Sequence, residues 1–338
     1  MNVAVQKDKL KATDFASDQE VRWCPGCGDY AILKAVQRTL PDLDTPKENY
    51  VFISGIGCSS RFPYYMSTYG FHTIHGRAPA FATGIKIANP ELDVWMITGD
   101  GDGFSIGGNH MLHVLRRNVN LQILLCNNEI YGLTKGQYSP TSAIGLRTPS
   151  SPDGSVDTPL KPLVFTLGAG ARFAARAYDT QKTLPDILKR AHEHKGTSLV
   201  EILQNCIVYN DGVFDGVLAR DVAAEQQLHV EHGKPLLFGA EKNRGIRLNT
   251  RTLTLEAVTL GEKGVTEDDI LVHDEKNRAL ATLLAAMDGD DLPVAFGVIY
   301  CDPAPTYEDG IEAKISASQG AEAPSLDKLL RQGHTWQA

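Results

Sequence analysis

Cys24 and Cys27, in Trp23-Cys24-Pro25-Gly26-Cys27-Gly28, are the first side chains whose types and spacing suit chemistry. A CxxC pair serves as a thiol redox couple, as half of a four-thiolate zinc site, or as two of the four thiolates of an iron–sulfur cluster. A thioredoxin-type pair follows a strand and opens its helix, whereas here only a short polar stretch precedes the motif. The zinc and cluster readings each need two more thiolates, drawn from Cys58, Cys126, Cys206 and Cys301. A second constellation is Gly99-Asp100-Gly101-Asp102 followed, after the next apolar run, by Asn127-Asn128-Glu129-Ile130. Glycines at a strand end let the backbone approach a diphosphate, and a following helix N-terminus favours its negative charge. An Asp and an Asn oxygen with a backbone carbonyl are hard ligands suited to Mg²⁺. The bland reading, a glycine turn and an asparagine turn, weakens because each motif follows a buried apolar run.

These residues have to be delivered by elements. Apolar, β-branched runs at Tyr50–Ser54, 93–98, 121–125 and 198–203 read as buried strands, and 31–36, Ala78–Ala88, 107–117 and 184–194 read as helices. The alternation predicts an α/β fold with a doubly wound, mainly parallel sheet. Ligands of such a sheet bind beyond the carboxyl ends of its strands. The four predicted strands there deliver Cys58, Asp100, Asn127-Asn128 and Cys206 to one edge, which makes Cys58 and Cys206 the partners of the CxxC pair. Cys126 closes an apolar run and Cys301 lies in a late segment, so both read as structural thiols. Residues 139–161 read as a long loop, 277–287 as a helix, 293–300 as a strand, and 310–338 as a polar tail that wraps a neighbour or another subunit.

GDG followed at this distance by NN resembles the thiamine diphosphate motif. Carried over, Asp100, the Asn128 side chain and the Ile130 carbonyl ligate Mg²⁺, while Gly101 and Asp102 hydrogen-bond the diphosphate. No GxxxxGK[ST] phosphate loop and no helix-opening GxGxxG occurs in the chain. CPGCG, GIGCSSR, HGRA, GDGD and NNEIYGLT, with the later Cys206, together resemble the β subunit of 2-oxoacid:ferredoxin oxidoreductases over about residues 20–210. The resemblance implies the diphosphate-binding thiamine domain and one [4Fe–4S] cluster on Cys24, Cys27, Cys58 and Cys206. It also places Ile56, Gly57, Cys58, Ser59, His75, Gly132 and Leu133 around the cofactor.

The implied activity is oxidative decarboxylation of a 2-oxoacid, with coenzyme A taking the acyl group and ferredoxin the electrons. Lys135 and Arg61 lie near the same edge, and two cations suit a dicarboxylate, which favours 2-oxoglutarate over pyruvate or a broad substrate range. The implied partner is an α subunit, in an αβ or (αβ)2 assembly, carrying the carboxylate that activates the aminopyrimidine. A reading from another class, a zinc-stabilised non-catalytic interaction subunit, is separated from this one by colour.

Composition bounds the rest. The 338 residues hold 42% hydrophobic and 22% charged side chains, enough for a sizeable core. A net charge of −8 gives no general drive toward nucleic acid. No apolar run approaches the roughly 20 residues of a membrane helix, and residues 1–14 lack a signal-type apolar core. Six cysteines are too few for a disulfide scaffold, which places the chain in a reducing cytoplasm. The expected organisation is an N-terminal arm (1–20), a cofactor domain (21–210) and a C-terminal extension (211–338) packing on that domain or on the partner.

Overall fold

The computed structural model describes residues 9–289, 291–319 and 325–336. The first eight residues of the expected arm, and with them most of the segment judged for a signal core, lie outside these, as do parts of the expected tail. Strands follow in chain order as β1 Tyr50–Ser54, β2 Tyr69–His72, β3 Asp93–Gly99, β4 Leu121–Asn127, β5 Ile130–Tyr131, β6 Gln137–Tyr138 and β7 Phe173–Tyr178. Then come β8 Thr197–Leu203, β9 Gln227–His229, β10 Leu237–Phe238, β11 Arg244–Asn249, β12 Thr254–Thr259 and β13 Val294–Cys301. The first helices are α1 Asp29–Thr39, α2 Ala78–Ala88, α3 Gly108–Arg117, α4 Pro162–Gly168 and α5 Leu184–Glu193. The later ones are the single turns α6 Asp215–Leu218 and α7 Ala223–Gln226, then α8 Arg278–Ala286, α9 Tyr307–Ser318 and α10 Leu326–Leu330.

Eight strands form one sheet in the order β2-β1-β3-β4-β8-β7-β13-β9. The six from β2 to β7 are mutually parallel. Strand alternation gives each face its own core. Val51, Ile53, Val94, Met96, Leu121 and Ile123 pack one way, under α2, α3, α4 and α8. Tyr50, Phe52, Trp95, Ile97 and Leu124 pack the other way, under α1 and α5. Both faces being covered, β4 and β8 are buried at every position, and their sequences are mostly apolar rather than alternating.

The sheet is the doubly wound, mainly parallel one the sequence predicts, with additions. β2 and β7 carry no strand signal: Tyr-Gly-Phe-His is an exposed edge, and Phe-Ala-Ala-Arg-Ala-Tyr has an arginine at its centre. That arginine is stabilised by its neighbour. Arg176 pairs in register with Glu201 on β8 and donates from Nε to its carboxylate at 2.8 Å. The extension also enters this sheet, because β13 runs antiparallel against β7 and β9 runs parallel to β13. The segment from residue 304 leads into α9. Its Glu308 carboxylate accepts the Asn120 N–H at 3.1 Å, and the Asn118 amide donates to the Ala304 carbonyl at 3.1 Å, so it docks first on its own chain.

Candidate active site

β1, β3, β4 and β8 are consecutive neighbours, so the loops that follow them meet at one end of the sheet. Cys24, Cys27, Cys58 and Cys206 line a single pocket of about 250 Å3 there. Three ties hold the cysteine loops together. The buried Trp23 indole donates to the Cys58 carbonyl at 2.7 Å, joining the CxxC turn to the loop after β1. The Gly28 N–H donates to the Asn205 carbonyl at 3.3 Å, joining that turn to the loop after β8. The Gln204 side-chain amide reaches the Cys27 sulfur at 3.2 Å. Gly132 closes the ring, since a Cβ there would stand 3.5 Å from both the Cys58 and the Cys206 sulfur. Cys126 is buried in the core under α1 and α5, and Cys301 faces the His194 ring at 3.8 Å, so neither lines the pocket.

At Cys27 and Cys58 the surroundings favour the uncharged thiol. Burial first, then the Asp29 carboxylate, pushes the Cys58 thiol up to about 12, and the same two causes in the same order push Cys27 up further. Asp29 itself is raised to about 7 by burial, and its Oδ2 has no hydrogen-bond partner. Thiolates in such a place need a metal's positive charge. Among the described residues, no three or more His, Cys, Asp or Glu side chains gather tightly enough for a single ion. The four sulfurs ring a cavity instead.

On the other side of the same loops, Asp100 is buried and accepts the Thr141 hydroxyl at 2.7 Å. Burial pushes its carboxyl up, so a divalent cation would supply the missing countercharge. The Asn127 Oδ1 lies 3.1 Å from the same Thr141 hydroxyl. Asn128 lines the cysteine pocket, donating to Gln204 Oε1 at 2.7 Å and accepting the Ile130 N–H at 3.2 Å on Oδ1. The Asp102 carboxylate is turned into the protein and saturated by internal donors. Gly101 and Asp102 open a π-helical turn, Asp102–Ile106, leading into α3. Tyr131 packs so closely on Gly101 that any side chain there would overlap its ring.

Gly57 has φ of +134°, a conformation that suits glycine and leaves the backbone open to a ligand. Ile56 gives its N–H to Asp102, Ser59 is buried behind Gly99, and His75 is hydrogen-bonded to Asp102. Leu133, Arg61 and Lys135 line the cysteine pocket, with Arg22 beside them. Lys135 stands in the β5–β6 hairpin at φ +76°. Trp23, Gln204 and Thr141 were not legible as site residues. The first two lie beside predicted cysteine ligands, and Thr141 lay inside a stretch read only as loop.

Residues 55–202, the segment that builds this strand-end site, match the model of the thiamine pyrophosphate enzyme C-terminal TPP binding domain. Over 334 residues the chain is 49% identical to the 2-oxoglutarate oxidoreductase subunit KorB of Mycobacterium tuberculosis, covering 96% of this chain and 88% of that one. The chain belongs to the β subunits of the 2-oxoacid:ferredoxin oxidoreductase family. Subunit beta of 2-oxoacid:ferredoxin oxidoreductase 1 from Aeropyrum pernix is 46% identical over 190 residues, 56% of this chain and 60% of that one. A solved 2-oxoglutarate:ferredoxin oxidoreductase from Magnetococcus marinus, with 2-oxoglutarate, coenzyme A and succinyl-CoA bound, superposes with a TM-score of 0.77 at 32% identity and covers 98% of each chain. As a β subunit of this family, the chain implies an α partner.

Proposed function

We propose that the chain, with its α partner, catalyses 2-oxoglutarate + CoA + oxidised ferredoxin = succinyl-CoA + CO2 + reduced ferredoxin. The observation that carries this is shared walls: Asn128, Gly132 and Leu133 of the diphosphate-side loops also line the pocket of the four cysteines. Thiamine diphosphate, when bound, supplies an electron sink for decarboxylation. A one-electron acceptor must then stand close by, and the cysteine pocket fits that need.

Cys24, Cys27, Cys58 and Cys206 would hold a [4Fe–4S] cluster. Asp100, the Asn128 Oδ1 and the Ile130 carbonyl would hold Mg²⁺, the Asn128 oxygen keeping a lone pair beyond the one used by Ile130. Gly101 and the Asp102 backbone N–H meet the diphosphate at the start of the π-helical turn, with Ile56, Gly57, Ser59 and His75 around the cofactor. Lys135 and Arg61 meet the carboxylates of the substrate. Arg61 is held for this by its Nε–H, which donates to the Tyr65 hydroxyl at 2.9 Å. The six cysteines are all free, which fits a reducing compartment, the cytoplasm.

The test is the assembled enzyme purified anaerobically and screened with 2-oxoglutarate and pyruvate, each with coenzyme A and ferredoxin. The reading requires brown protein absorbing broadly near about 400 nm, four iron atoms per chain, and ferredoxin reduction that depends on coenzyme A and prefers 2-oxoglutarate. Colourless, zinc-loaded protein without turnover would establish the interaction-subunit reading in its place. A preference for pyruvate would keep the family and overturn the substrate.

A further inference from the structure

The Asp102 carboxylate is buried and accepts four hydrogen bonds from three separate segments. Its Oδ1 takes the Ile56 N–H at 3.0 Å, the Gly76 N–H at 2.7 Å and the His75 Nδ1 at 2.7 Å, while Oδ2 takes the Thr98 hydroxyl at 2.7 Å. Glycines clear the space for it. A Cβ on Gly55 would overlap the carboxylate itself, and a Cβ on Gly76 would fall 2.6 Å from the Gly107 nitrogen in the turn that Asp102 begins. A carboxylate that already accepts two backbone N–H groups can only accept from the imidazole, so the hydrogen of His75 sits on Nδ1. The rest of that ring is at the open edge. The His75 side chain is 37% exposed, its Nε2 has no protein partner among the described residues, and it stands beside the Tyr131 ring, whose hydroxyl donates to the Gly101 carbonyl at 3.1 Å.

We propose that Asp102 is a positioning residue: it holds the hydrogen of His75 on Nδ1 and so presents Nε2 to bound thiamine diphosphate in one fixed orientation. This rests on the cofactor reading above and goes beyond it, because the side chain of Asp102 acts on the cofactor only through His75. A carboxylate that merely braced the loops would produce the same hydrogen bonds to Ile56 and Gly76, but its removal would not depend on what residue stands at 75.

A double-mutant cycle decides between the two. Thiamine diphosphate affinity in the presence of Mg²⁺ is measured by calorimetry on the assembled enzyme for wild type, Asp102→Asn, His75→Gln and the double variant. The asparagine is isosteric and keeps an oxygen for both backbone donors, but it removes the negative charge that makes the hydrogen bond from His75 charge-assisted. Each single change is expected to weaken binding by about tenfold, and the double by no more than either alone. Losses that multiply to about a hundredfold would overturn the proposal and leave Asp102 as a brace. Independently, nitrogen NMR of the histidine-labelled full-length chain, with His75 identified by the signal that His75→Gln removes, should show the hydrogen on Nδ1. A hydrogen on Nε2 overturns the proposal even if Asp102→Asn fails to fold. Wild type that binds no thiamine diphosphate would overturn the cofactor reading as well, an outcome distinct from multiplying losses in a wild type that binds.

Discussion

Lys135 is the residue on which the choice of 2-oxoacid turns. It is exposed, lines the cysteine pocket and sits at φ +76° in a hairpin whose next residue, Gly136, is also left-handed at +94°. The tight turn fixes the Lys135 backbone at the rim of the pocket, and the flexible stem carries the ammonium within reach of it. Lys135→Ala should therefore lower kcat/KM for 2-oxoglutarate by about 10- to 100-fold, the range of one lost charge-assisted hydrogen bond, with pyruvate spared. Initial rates at varied substrate check this. An equal loss on both substrates, or a rise confined to the KM for coenzyme A, would move the ammonium to the cosubstrate. At this scale the sequence was informative where chemistry demands rare residue types: the cysteines and the GDGD run stand out by composition. It was silent about which way a side chain faces. Asp102 and Asn127 show why, since each is directed by partners in other loops, His75 and Thr141, that no local pattern announces.

Among the elements, the six-residue ladder of β7 with β8 contains one buried ion pair. Arg176 and Glu201 are 7% and 2% exposed, and the second Glu201 oxygen accepts from the Asn127 amide at 2.9 Å. The carboxylate thus links the strand that ends near Cys206 to the strand that ends at Asn127. Glu201→Ala would leave a guanidinium buried without a counter-charge and should cost about 3–5 kcal/mol, read as a lowered midpoint in urea unfolding. An unchanged midpoint would mean water or a rearranged Arg176 compensates. β8 was legible because six of its seven residues fit a buried strand despite the glutamate. β7 was not, because the arginine that Glu201 neutralises breaks its apolar run. The helices α1, α2, α3, α5 and α8 were legible as segments beside or between the predicted strands, whereas the π-helical turn before α3 has no local signature.

For the whole molecule, the cofactor end of the sheet is bordered by apolar side chains that are exposed among the described residues. Tyr69, Phe71 and Ile74 are 66%, 47% and 69% exposed on and after the edge strand β2, leading directly to His75. A surface of this kind beside a half-built site fits a subunit whose active site is completed by its partner. The purified chain alone should hold iron yet show no turnover, and adding the α subunit should restore ferredoxin reduction up to about one equivalent. Turnover by the chain alone would overturn this division of labour.

β13 has a consequence for synthesis. All four cysteines and every strand of the parallel run leave the ribosome before Val294–Cys301 does, so the nascent protein carries β7 as an open, hydrogen-bond-hungry edge throughout that interval. The sheet is sealed by its last strand, and until translation reaches it the polypeptide is at its most vulnerable to aggregation.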